Sequence, residues 1–217
     1  MELLSHLVTP LLDEVDLQHV LCNTGDAILE HRDRAEQLMA TRELHAWMTS
    51  PGSSPFGVMR DSVDGIRVSS VFFCGLHRRN NAYSGGVAMI WSLAQQLVEH
   101  FPAPTIELDS RLDTRRLDQG DLSELCSLFM CLMYRLPPRV AVFCLIDGIQ
   151  QYERSEEHLP GMMAVVTTLI SLVNECNTPT GGILKLLLVS PCEIVEVRRE
   201  FDQLPGGLLH MARLPSF

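Results

Sequence analysis

Lysine is almost missing from this sequence: of 17 basic residues, Lys185 is the only lysine. The shortage excludes one large class of chemistry outright. A phosphate-cradling loop of the form G-x-x-x-x-G-K-[S/T] needs a lysine that reaches the bound phosphates, and no such run occurs. Lys185 itself stands inside the apolar run 184–189, where a strand is expected. Other absences narrow the field further. No pair of cysteines has the C-x-x-C spacing of a zinc site, and no apolar run approaches the roughly 18 residues of a membrane span. The first residues lack a signal-peptide pattern, and there is no internal repeat or low-complexity tract. Positive charge is scarce as well, with 17 basic against 27 acidic side chains and a net charge of −10. The densest basic stretches, His77-Arg78-Arg79 and Arg111 to Arg116, are short and offset by nearby acids. A general polyanion-binding surface is therefore not expected, nor is a membrane partner. Seven cysteines, several inside apolar runs, leave an odd one under any full pairing, so the expectation is a reduced, soluble, cytoplasmic protein.

What is present reads as one α/β domain over 1–217, with a helical N-terminal segment to about residue 50 and a parallel-sheet core from 55. Leu3, Leu4, Leu7, Leu11, Val15 and Val20 form an apolar stripe, Thr24 is placed to cap a helix from Gly25 to Met39, and Thr41 a short one ending near Trp47. After the loop at 50–55, strands and helices alternate. Strands are expected at Val68–Leu76, Val140–Ile146 and Leu184–Val189, and a last one near Leu208–Leu214. Helices are expected after Ser84-Gly85-Gly86 along Val87, Ile90, Ala94, Leu97 and Phe101, and after Asp121 along Leu122, Leu125, Phe129, Leu132 and Met133. Glu124 completes a capping-box spacing with Asp121. Two further helices are expected at Met162–Cys176 and Glu193–Gln203. Strands that are apolar throughout and separated by helix-length segments predict a three-layer, mostly parallel sheet of about five strands, Rossmann-like or P-loop-like.

In such sheets ligands bind beyond the carboxyl ends of the strands. That rule selects His77, Arg78 and Arg79 after the first core strand, Asp147, Gln150, Tyr152 and Glu153 after the second, and Ser190 and Cys192 after the third. The catalytic candidates are His77, Asp147, Tyr152 and Glu153. The plainer reading is that these are polar residues where strands become loops. Cys74-x-x-His77 has the spacing of half a metal site or of a nucleophile beside its base, but no second pair completes it, and no metal or cofactor is expected. Gly85-Gly86 offers either free amides to an anion or a flexible start to a helix. The mixed charges from Asp109 to Asp121 read as a solvated linker, and Trp47 and Trp91 as core or interface aromatics.

The order of these pieces resembles that of fungal proteins related to NACHT-like STAND domains, a branch of the P-loop NTPases. The resemblance rests on Leu44-His-Ala-Trp-Met-Thr-Ser-Pro51, Val71-Phe-Phe-Cys-Gly-Leu-His77, Trp91-Ser-Leu-Ala-Gln-Gln-Leu97, Val142-Phe-Cys-Leu-Ile-Asp-Gly-Ile149 with Tyr152-Glu153, and Leu184 to Pro191. It implies that Val142–Asp147 is a Walker B-like strand and Leu184–Val189 a later sensor strand. Where the family carries its first strand, phosphate loop and helix, this chain has residues 54–68 without a lysine, and only about a dozen residues remain before the next strand, too few for a full crossover helix. The winged-helix and repeat regions of STAND switches find no room in these 217 residues, so nucleotide-driven switching is not expected.

Two functions follow as expectations. The first is a degenerate P-loop NTPase-like scaffold, a pseudo-NTPase that binds a protein partner or small-molecule ligand. The second is a fungal biosynthetic enzyme of secondary metabolism that reuses the strand-end cleft, for example an aminoacyl transferase similar to tRNA-dependent cyclodipeptide synthases. There Asp147 and Glu153 would hold a cationic group and His77 or Tyr152 would move protons, with tRNA the one nucleic-acid partner. The D-D-x-x-E run associated with fungal arginine-type synthases is absent. A homodimer through the apolar N-terminal helices is a third expectation.

Overall fold

Three apolar runs of seven residues form the sheet: β1 (Arg67–Phe73), β2 (Ala141–Asp147) and β3 (Ile183–Val189). They belong to a computed structural model that describes residues 44, 47–48, 66–77, 84–101, 112–137, 140–176 and 182–202. Both pairings are parallel, in the order β1-β2-β3. The register is flush, so that Arg67, Ala141 and Ile183 start level and Phe73, Asp147 and Val189 finish level. The observed architecture is thus mixed α/β on a three-stranded parallel sheet. The strand expected at 208–214, the helices expected within 2–39, the loop at 50–55, and Arg78 and Arg79 lie outside the described residues.

Parallel neighbours require long crossovers, and helices supply them. Between β1 and β2 run α1 (Gly85–His100), α2 (Thr114–Asp118) and α3 (Leu122–Tyr134). Between β2 and β3 run α4 (Gln150–Glu153) and α5 (Leu159–Glu175), and α6 (Glu196–Asp202) follows β3. Both crossovers step the same way across the sheet, so right-handed connections put α1, α3 and α5 on one face. Strand alternation sends Phe72, Val142, Cys144, Ile146, Leu184 and Leu186 toward that layer. There they are buried with Ile90, Leu93 and Leu97 of α1, Leu125, Phe129 and Leu132 of α3, and Val165, Val166 and Leu169 of α5. The other face carries Phe143, whose ring meets Trp47 edge-on at 5.8 Å. Leu44, Trp47 and Met48 have helical backbone, and Leu44 and Trp47 are buried.

α1 is buried around more of its girth than the one-sided stripe read from sequence. Ser92, Gln95 and Gln96 are inside as well, while Val87 and Phe101 are only partly covered. Gln96 explains part of this. Its Nε2 donates to the Val71 carbonyl at 2.8 Å, the Val71 N–H donates to its Oε1 at 2.7 Å, and Nε2 also reaches Ser92 Oγ at 3.0 Å. One side-chain amide therefore occupies both backbone groups that Val71 presents away from β2, which blocks strand pairing at that position of β1.

The charged stretch expected to be a solvated linker contains α2. Asp113 caps it, accepting from the N–H groups of Arg115 and Arg116. Asp121 caps α3 by accepting from the Glu124 N–H at 3.0 Å, as its spacing predicts. The reciprocal half of the capping box is not made. Glu124 instead accepts from the Asp113 N–H and from Arg116, whose guanidinium also bridges to Asp121 at 3.0 Å.

Candidate functional site

The flush strand ends put Phe73, Asp147 and Val189 side by side at the edge where the topology rule places a ligand. Beyond Asp147 the chain turns through Gly148 at φ 73°, a left-handed conformation that favours glycine. The N–H groups of Gly148 and Ile149 both donate to the Val189 carbonyl, and the Cys74 N–H donates to the Asp147 carbonyl at 3.0 Å. The turn after β1 and the turn after β2 are thereby tied to the sheet by backbone bonds.

The four candidates fall on two sides of the sheet. Alternation sends Asp147 to the Phe143 face, beside Phe73 and Val189, whereas Phe72 and Ile146 point into the helical layer. His77 goes with Phe72: the two rings stack at 4.9 Å, and His77 is 4% exposed. Tyr152 joins them from α4, fully buried, with its hydroxyl donating to the His77 backbone carbonyl at 3.2 Å. No hydrogen bond or ion pair among the described residues links Asp147 to His77, Tyr152 or Glu153. The structure pairs His77 with Tyr152, and neither is bonded to Asp147.

Glu153 has a different partner. Its carboxylate accepts from the backbone N–H groups of Val195, Glu196 and Val197, the last two at 3.2 Å. These are the unsatisfied amides at the start of α6, where a negative charge is favoured by both hydrogen bonding and the helix dipole. The residue that lies where a hydrolytic glutamate would be sought is holding a helix 42 residues away in sequence.

Asp147 is half-buried, and desolvation holds its carboxyl above the usual carboxylate range, offset only in part by the Gly148 N–H. The nearby Cys74 is buried, and burial, followed by the charge of Asp147, pushes its thiol up to about 12. A thiol so disfavoured from ionising is poorly suited to act as a nucleophile at neutral pH, which weighs against the Cys–His reading of Cys74 and His77. Among the described residues no three His, Cys, Asp or Glu side chains are grouped to hold a metal ion. Ser190 and Cys192 close a tight turn after β3: Ser190 Oγ donates to the Cys192 carbonyl at 2.6 Å and receives the Cys192 N–H at 3.3 Å.

The starts of α1 and α5 meet at the same edge. A Cβ on Gly86 would lie 2.2 Å from the Gly161 carbonyl oxygen, so the backbones are in contact and only glycine fits. Gly86 thus serves a close helix approach, and Gly85, at φ 68°, takes a left-handed conformation that favours glycine. His158, 8% exposed and 5.0 Å from the Tyr152 ring, sits just before α5. Sequence reasoning passed it over, although its place before the helix that follows β2 puts it at the edge the topology rule selects. Buried Gln150 completes the edge, and its Oε1 has no hydrogen-bond partner among the described residues.

No protein-family model matches this chain, and no curated protein or solved structure matches it either. Among the described residues no helix is long and apolar enough to cross a membrane.

Proposed function

We propose that this chain is a degenerate P-loop NTPase-like domain that acts as a binding or interaction scaffold and carries out no conventional nucleotide hydrolysis. The observation that carries the proposal is the use to which the strand-end side chains are put. Glu153 caps α6, Tyr152 secures the turn at His77, and the α1 and α5 starts are closed against each other at Gly86 and Gly161. The sole lysine lies inside β3. None of these groups is left to cradle a phosphate or to activate water. The wider expectation of about five strands in a P-loop-like arrangement belongs to the same proposal. It is supported by the central position of the Walker B-like strand β2 and by its pairing with the sensor-like strand β3. The partner in this reading is a protein or a small molecule, and a second copy bound through the N-terminal helices is one form of it. Phosphate release from magnesium-ATP and magnesium-GTP tests the claim. The rate should equal that of buffer alone, and turnover abolished by Asp147→Asn would refute it.

One pair of observations favours catalysis at the reused edge as a second reading. A half-buried carboxyl held above its usual range and an orphaned Gln150 acceptor are the kind of unsatisfied groups that functional sites retain. In that reading Asp147 and Gln150 would bind a donor-bearing group such as an aminoacyl substituent. If Asp147→Asn left product formation unchanged in an aminoacyl-tRNA-dependent assay, this second reading would fail.

A further inference from the structure

The strongest anomaly outside the strand-end site is Lys185. It stands at the middle of β3, paired in register with Phe143 and flanked by Leu184 and Leu186, and it is 0% exposed. Alternation places it on the Phe143 face, away from the α1–α3–α5 core. Lysine is among the residues most rarely buried, because its ammonium is strongly hydrated. As the only lysine in these 217 residues, it leaves every other basic position to arginine, whose guanidinium does not accept acyl groups under ordinary conditions.

We propose that Lys185 is a conformation-gated modification site: acyl transfer to an ε-amine of this chain occurs only after the fold has opened around the buried Lys185 side chain. In the reaction the amine lone pair of Lys185 attacks the carbonyl carbon of an acyl thioester. The new C–N bond forms as the C–S bond breaks, and the sulfur departs as thiolate, which takes up the proton that the amine gives off, so no oxidant or reductant is involved. The folded chain presents no ε-amine to such a donor, whereas the unfolded chain presents one. A single acyl or isopeptide mark at Lys185 then records that the molecule has opened.

Access, not protonation, sets the gate. Desolvation lowers the Lys185 ammonium from 10.5 to about 8, so a larger share of this amine is neutral near pH 7 than in an exposed lysine. An opening that admits the donor also removes this desolvation, so the exposed Lys185 then reacts as an ordinary surface lysine does. Slow reaction therefore reports burial.

The experiment needs an exposed amine in the same molecule, and Arg115→Lys supplies one on the surface of α2. The full chain carrying this change is treated with the N-hydroxysuccinimide ester of acetic acid in native buffer, and each amine is followed by peptide mass spectrometry over time. Lys185 should be acetylated at least about a hundredfold more slowly than the introduced amine, since reaching it requires an opening of the fold around a fully buried side chain. In denaturant the two rates should converge, with convergence following the unfolding transition seen by far-UV circular dichroism. A smaller separation in native buffer, or loss of protection well before that transition, would overturn the proposal.

Discussion

At the scale of single residues, buried ionisable groups set the response of this protein to pH. Lys185 is held at about 8 in the folded chain against 10.5 for the ordinary value. A base whose value falls on folding binds fewer protons in the native state, so its burial lowers stability fully below pH 8 and the loss is recovered between pH 8 and 10.5. The cost at neutral pH is on the order of 3 kcal/mol. Lys185→Met should therefore raise the urea midpoint at pH 7, and its advantage over the parent chain should shrink as pH rises toward 10. Cys74 and Cys144 act in the opposite sense. Burial pushes both thiols from 9.0 up to about 12, so the folded state keeps protons that the unfolded state releases, and stability falls as pH climbs from 9 toward 12. The parent chain should unfold readily in strong alkali, and the Lys185→Met comparison cancels this thiol contribution because both proteins share it. Asp147 is raised by desolvation, so it too costs stability at neutral pH. Asp147→Asn should stabilise the fold at pH 7 and lose that advantage as the pH drops into the carboxylate range.

At the scale of elements, two contacts join segments far apart in sequence. The first is the glycine seam between α1 and α5. Gly86→Ala would place a methyl 2.2 Å from the Gly161 carbonyl oxygen, with backbone and not a flexible side chain in the way. The helices must separate, and a loss of about 3 kcal/mol or more is expected in urea unfolding. Gly161→Ala meets its nearest neighbour, the Gly86 nitrogen, at 3.4 Å and should cost clearly less. Equal losses at the two positions would contradict the geometry. The second contact is the cap from Glu153 to α6. Glu153→Gln keeps one acceptor oxygen but loses the charge, so a destabilisation of roughly 1–2 kcal/mol is expected, with faster amide exchange at Val195, Glu196 and Val197.

These elements show where sequence reading succeeds and where it stops. The run Leu184–Val189 announced β3, which adds only Ile183, because seven residues with one charge among them have few alternatives to a buried strand. Asp121 announced the start of α3, because a cap is a local bond between residues three apart. α2 was missed since its five residues are mostly charged, and its folding depends on Asp113 and Arg116 rather than on an apolar face. The strand-end candidates were legible as positions, because topology alone places them at one edge. Their employment was not legible. Nothing local tells that Glu153 meets residues 195–197, that Gln96 bonds Val71, or that the Tyr152 hydroxyl meets the His77 carbonyl.

At the scale of the whole molecule, Glu153, Tyr152 and Gln96 are polar residues that serve the fold itself. The scaffold proposed above would work through its surface. Assembly is then the first property to measure, and static light scattering should give a mass that is a whole multiple of 24.3 kDa, two copies being the expectation for the full chain. The central claim concerns the edge at Asp147, and the most direct test is the melting temperature with and without magnesium-ATP or magnesium-GTP. A ligand at a hundred times its dissociation constant would add about 2.7 kcal/mol and raise the melting temperature by several degrees in a chain of this size. The account predicts a shift below about 1 °C at millimolar nucleotide, well under that linkage expectation. A shift of several degrees that disappears in Asp147→Ala would contradict it.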